Sequence, residues 1–129
     1  MTTTAPHAST VVVRTLQITT VLTALNVVWQ FVTAGELFPH GGPEELHSGG
    51  AITLHVFSGV AALAAIVLWR QRHAPVGLPV LATVVFVATI AQAAVGGRDT
   101  LWIHVPGAML VTAGVTWLLV RVWRPGSRG

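Results

Sequence analysis

Cysteine is absent from this chain, which removes disulfides, thiolate metal sites and cysteine nucleophiles from consideration. Lysine is absent as well. All seven basic residues are arginines, so the sequence pI of about 11.6 reflects guanidinium chemistry while the net charge is only +3. Charge of either sign is scarce: charged residues make up 9% of the 129, against roughly 25% in a soluble domain. So small a basic excess does not point to nucleic acid as a partner, and its distribution along the chain fits orientation in a membrane instead. The chain is 53% hydrophobic with a mean hydropathy of +0.72. Composition and length therefore predict one all-α, integral membrane domain over residues 1–129.

Residues 1–10 are small and polar and read as a tail. Four apolar runs follow, over about 11–34, 51–70, 77–95 and 101–123, each long enough for roughly 30 Å of hydrocarbon. The first is too long for the core of a signal peptide, about 7–15 residues, so it reads as a retained span. One of its faces carries Thr19, Thr23, Asn26 and Gln30 at helical spacing, which turns that face toward other helices. Residues 35–50, punctuated by Gly and Pro, read as a long loop. Pro79 suits the first turn of the third span, and Gly96-Gly97-Arg98-Asp99 suits a tight connection. Trp29, Trp69, Trp102 and Trp123 lie near span ends and read as interface anchors.

Arg14, Arg70, Arg72, Arg121, Arg124 and Arg128 fall on one side of these spans and only Arg98 on the other. The positive-inside rule then places both termini in the cytoplasm, with the lipid bilayer of a bacterial inner membrane as solvent. Glu36, Glu44, Glu45 and Asp99 all fall outside.

Two stretches carry the candidate chemistry: Leu54-His55-Val56-Phe57-Ser58-Gly59 and Ile103-His104-Val105-Pro106-Gly107-Ala108. On a helix, Ser58 and Gly59 share a face with His55, and Gly107 and Ala108 share one with His104. A histidine beside a bare patch can coordinate something flat and bulky. Counting inward from the loops at about 1.5 Å per residue, His55 lies roughly 8 Å deep and His104 roughly 6 Å, with Gln30 and Gln92 at a similar level. Each helix thus offers one strong hydrogen-bonding side chain to one layer. Trp29-Gln30, a loop and His55-Val56 parallel Ala91-Gln92, a loop and His104-Val105, as two helix hairpins related by a pseudo-twofold axis along the membrane normal would.

In an antiparallel four-helix bundle of this order the second and fourth helices are diagonal. Two imidazoles reaching inward from them can hold one iron, so His55 and His104 are the expected metal ligands of haem b. Gln30 and Gln92 are expected beside them, and Ser58, Gly59, Gly107 and Ala108 as the slot for the macrocycle. The alternative expectation is a non-catalytic scaffold or small subunit whose His and Gln side chains are interhelical hydrogen-bond glue. A quinone, proton-relay or non-haem metal role is a third class. His40 and His47, in the acidic loop with Glu44 and Glu45, offer a weaker metal site. His7 and His73 read as solvent-exposed, and Arg98 as a loop charge with a haem propionate as its alternative partner. Phe38 and Leu46 are apolar residues in that loop and predict a lid over the layer, with His47 at its edge.

With His55 and His104 near the outer ends of the second and fourth spans, the chain resembles one four-helix half of haem A synthase. It is also similar to small bis-histidine b-type cytochromes of membranes and to small four-helix membrane families of bacteria. The resemblance implies haem b, electron transfer or haem handling, and a redox partner or quinone, and it leaves open self-association or membership of a larger complex. It has two departures. The carboxylate that haem A synthase keeps three residues before its helix-two histidine is Ile52 here, and the outer-loop cysteine pair has no counterpart. Oxidation of a haem methyl group is therefore not implied.

Overall fold

The computed structural model describes residues 10–37 and 41–124. Among them are four α-helices: α1 (Thr10–Leu37), α2 (Glu44–Arg70), α3 (Gly77–Ala94) and α4 (Leu101–Trp123), with a single 3-10 turn, Arg98–Thr100, before α4. All four are long and apolar enough to cross a membrane. No strand occurs among the described residues. Each helix packs against its neighbours in the chain, and α1 also packs against α4; α1 and α3, like α2 and α4, are diagonal and do not touch through their backbones.

The third and fourth helices fall where hydropathy places them. The first connection does not. Residues 35–50 were expected to form a loop, yet α1 continues through Gly35 to Leu37 and α2 begins at Glu44. Local chemistry explains the early start. Pro43 stands at the N-cap with φ −66°, and Glu44 and Glu45 occupy the first turn, where carboxylates complement the helix dipole. Gly49 and Gly50, which look like loop residues, lie inside the helix. Gly50 is there because Gln30 and Trp29 of α1 pack onto it: a Cβ at that position would collide with the Gln30 amide and lie 2.9 Å from the Trp29 ring. Of the two residues expected to form a lid, Leu46 sits on α2 with 44% of its surface exposed, and Phe38, like His40, lies outside the described residues.

The interior is built from small side chains. Ala61, Ala62, Ala64 and Ala65 of α2 pack with Leu16, Leu68, Ala82 and Leu118 in one half of the bundle. Val27, Leu54, Val85, Val111 and Val115 fill the other. Alanines let helix axes approach closely, which is how helices associate where the solvent is itself apolar. Threonine enters the core by satisfying itself: Thr20 and Thr23 return their hydroxyl protons to the carbonyls of Leu16 and Thr19, both at 2.7 Å. Large apolar side chains such as Leu25, Leu63, Leu110 and Trp117 face outward. That inside-out pattern suits a lipid solvent.

Two residues past the end of α2, Arg72 lies in the left-handed region (φ 61°), and the His73 amide donates to the Leu68 carbonyl at 2.9 Å. This closure normally takes glycine, and arginine there costs about 1 kcal/mol.

Candidate functional site: a histidine and glutamine layer at one end of the bundle

Where α1 ends, α2 begins, α3 ends and α4 begins, four polar side chains meet. Gln30 donates from Nε2 to the His47 carbonyl (3.1 Å) and lies over Gly50. Gln92 lies over Gly107 in the same way, and a Cβ on that glycine would collide with its amide. His104 donates from Nδ1 to the Gln92 carbonyl at 3.0 Å. His47 meets Thr33 through Nδ1, also at 3.0 Å. The imidazoles of His47 and His104, from diagonal helices, approach with ring centroids 6.5 Å apart and planes at 70°.

Hydrogen-bond arithmetic assigns the protons. A carbonyl only accepts, so His104 Nδ1 carries a hydrogen. Thr33 Oγ1 has a single proton and faces the Trp29 and Gln30 carbonyls at 3.0 and 3.2 Å, so that proton is committed to the backbone. With that proton on the backbone, Thr33 Oγ1 accepts from the Nδ1–H tautomer of His47; the other tautomer would accept from Thr33 instead. In the neutral form His104 keeps its lone pair on Nε2, and so does the Nδ1–H tautomer of His47. A metal-ligating histidine has this arrangement, with one nitrogen held by a protein acceptor and the other open.

His55 is arranged differently. Its Nε2 donates to the Thr89 carbonyl of α3 at 3.1 Å, three residues and about one helical turn from the Gln92 carbonyl that holds His104. With α2 starting at Glu44, His55 lies eleven residues into its helix, whereas His47 and His104 each lie three residues in. The patches expected to be bare are occupied. A Cβ at Gly59 would meet the Phe86 ring at 3.2 Å. Ser58 is buried and donates to the Leu54 carbonyl at 2.7 Å, with Thr89 Oγ1 3.5 Å away. Gly107 is covered by Gln92, and Ala108 is half-buried on α4. The structure thus brings Gln30, Gln92, His104 and His47 into one layer and sets His55, Ser58 and Gly59 one level below, against Thr89 and Phe86.

Sequence pattern alone puts His47 in a loop, whereas it lies in the first turn of α2. A signal for it exists in the sequence: His47-Ser48-Gly49-Gly50 and His104-Val105-Pro106-Gly107 share a histidine three residues before the glycine that receives a glutamine. Two buried acceptors near the layer, Gln92 Oε1 and, on α1, Asn26 Oδ1, have no partner among the described residues. Asn26 does donate from Nδ2 to Thr53 Oγ1 at 2.6 Å. Among the described residues no three His, Cys, Asp or Glu side chains converge as a metal cage. The donor set is therefore two imidazoles, which suits a metal that brings its remaining ligands with it.

No protein-family model, curated protein or solved structure matches this chain.

Proposed function

We propose that the chain is a multi-pass membrane protein of the bacterial inner membrane, an antiparallel bundle in which His104 and His47 would hold haem b at the outer end. The observation that carries this reading is the pair of diagonal imidazoles with ring centroids 6.5 Å apart and both Nδ1 atoms engaged. Two imidazoles on opposite sides of one metal, at about 2 Å per metal–nitrogen bond, put their ring centres roughly 6 Å apart. A bare ion would need further protein ligands, and a porphyrin supplies four of its own. Bound haem would supply a one-electron couple, and a haem held by both histidines would favour electron transfer or haem handling with a redox partner or quinone.

The protein's own contribution is orientation. Thr33 and the Gln92 carbonyl hold the rings by Nδ1. The notches at Gly50 and Gly107, both beside the histidines, are filled by glutamine amides, flexible groups that can swing aside. The two hairpins repeat this Gln, His and Gly arrangement in the manner of a pseudo-twofold pair. The arginine distribution supports cytoplasmic termini.

The test is a reduced-minus-oxidised visible spectrum of the purified protein expressed with haem precursor. The expected result is a b-type band lost in His104→Ala and His47→Ala and kept in His55→Gln. A band lost in His55→Gln but kept in His47→Ala would move the second ligand to His55, released from the Thr89 carbonyl. A colourless protein would end the haem reading.

The second reading is a non-catalytic scaffold or small subunit in which the layer fixes helix register. It is favoured by the His55–Thr89 bond and by the filling of the Gly59 and Gly107 notches, which let the side chains pack with no guest. On that reading His→Gln substitutions at 47, 55 and 104 leave expression and unfolding nearly unchanged, because each interhelical bond is worth about 0.6–2 kcal/mol.

A further inference from the structure

The opposite end of the bundle has a different chemistry. Arg14, Arg70, Arg72, Arg121 and Arg124 gather there at the start of α1 and the ends of α2 and α4, while all four acids of the chain lie near the His and Gln layer or in its connections. Among the described residues none of these five arginines has a carboxylate partner; Arg14 has only a long contact from Nη1 to Gln17 Oε1 at 3.4 Å. Arg121 reaches across to Gly77 at the start of α3. Arg14 of α1 and Trp123 of α4 line one groove at the seam where these two helices pack, and Arg124, the residue after Trp123, lines a second.

Two open grooves are lined by residues of α1 and α4. One, of about 220 Å³, is lined by Arg14, Ile18, Val21 and Leu22 of α1, with Trp123 of α4 as a wall. The other, of about 620 Å³, follows one stripe of α4 and ends at Arg124, with Met109, Ala113, Trp117 and Val120 along it. Both are mainly apolar, with Thr112 and Thr116 in the larger and Gln17 in the smaller, and each includes one arginine from the end that would meet the headgroup region.

We propose that this seam binds one anionic phospholipid, of the phosphatidylglycerol class, with its phosphate between Arg14 and Arg124 beside Trp123 and one acyl chain in each groove. Guanidinium groups take phosphate oxygens in pairs, and an indole at the interface packs on the glycerol and upper chains. An anionic headgroup is selected over a zwitterionic one because, among the described residues, this end offers five arginines and no carboxylate side chain to pair with a choline or ethanolamine cation. The proposal rests on the membrane reading but is independent of haem.

The test uses the full chain in phosphatidylcholine vesicles carrying an equal fraction of either bromo-acyl phosphatidylglycerol or bromo-acyl phosphatidylcholine. Trp123 is isolated by the difference in fluorescence between the wild type and Trp123→Phe. The brominated anionic lipid is expected to quench Trp123 at about tenfold lower mole fraction than the zwitterionic one. Arg14→Gln with Arg124→Gln abolishes that preference, and Arg70→Gln with Arg72→Gln preserves it. Equal quenching by the two lipids overturns the site, and so does equal loss of preference in both arginine pairs, which would mean diffuse attraction. Displacement of the lipid by millimolar inorganic phosphate would make this a phosphate site and overturn the lipid assignment. Release of the protein by alkaline carbonate would overturn the membrane reading itself, a distinguishable failure.

Discussion

The two helix pairs, α1 with α2 and α3 with α4, solve the same packing problem with different hydrogen bonds. In each, a glutamine near the end of the first helix lies in the notch of a glycine on the second, and a histidine stands three residues before that glycine. In the first pair the Gln30 side chain bonds to the His47 backbone, and the ring of His47 is held by the Thr33 side chain. In the second the roles are exchanged: the Gln92 backbone holds the His104 ring, and Oε1 of its side chain is buried with no partner among the described residues. The first pair satisfies its layer through side chains that substitution can remove. The second uses a carbonyl that no substitution can remove, and it leaves a buried acceptor unsatisfied. The difference teaches where each pair is vulnerable and where a donor from outside the chain would be welcome.

The notch glycines offer the largest way to break the resemblance between the pairs. At Gly50 an added Cβ meets the Gln30 amide and also the Trp29 ring, at 2.9 and 3.2 Å. At Gly107 all three nearest atoms belong to the Gln92 amide, which can swing away. Gly50→Ala is therefore expected to destabilise by about 2–3 kcal/mol and Gly107→Ala by about 1 kcal/mol or less. Reversible unfolding in mixed detergent micelles measures both. Equal losses would mean that the Trp29 ring gives way as easily as an amide.

Thr33→Val comes next. It removes the acceptor of the His47 Nδ1 proton and leaves that donor in a partly buried site, at an expected cost of about 1–2 kcal/mol. On the haem reading it also frees the ring to turn, so the spectrum broadens or the midpoint potential moves while the His104 side is untouched. A variant with wild-type stability and spectrum would show that Thr33 serves only its own helix.

How much of this was legible beforehand differs between spans and site. Hydropathy recovers α3 and α4 to within a residue or so, because a membrane span must satisfy its own backbone and exclude charge. The start of α2 is not recovered, because a glycine required by a neighbouring side chain and a glycine required by a turn look identical in sequence. Gly50 is the former, and reading it as the latter put the helix start seven residues late. Depths counted from that false start placed His55 level with His104 and left His47 in a loop. Gln30, Gln92 and His104 were placed at their common level because their own helix ends were read nearly correctly. The bare patches beside the histidines were misjudged for a related reason: small residues on one helix say nothing about which side chain of another fills the gap, and Phe86 and Gln92 do so here.

The glutamines themselves give the smallest and most diagnostic effect. Gln30 makes an interhelical bond to the His47 carbonyl, so Gln30→Leu is expected to cost about 1 kcal/mol. Gln92 uses its backbone, not its side chain, to hold His104, and its buried Oε1 has no donor among the described residues. Leucine at 92 removes an acceptor that already bears its desolvation cost, fills a similar volume beside Gly107, and keeps the carbonyl to which His104 donates. In the protein without a guest, Gln92→Leu is therefore expected to be neutral or stabilising by up to about 1 kcal/mol, the opposite sign to Gln30→Leu. If Oε1 instead accepts from an ordered water or from a bound group, the substitution strands that donor, and the two variants lose stability together. Parallel unfolding of both, with and without added haemin, reads this directly. Opposite signs without haemin that become the same sign with it would mark Gln92 as a contact to the guest. Opposite signs under both conditions would leave the second helix pair with a packing defect and nothing more.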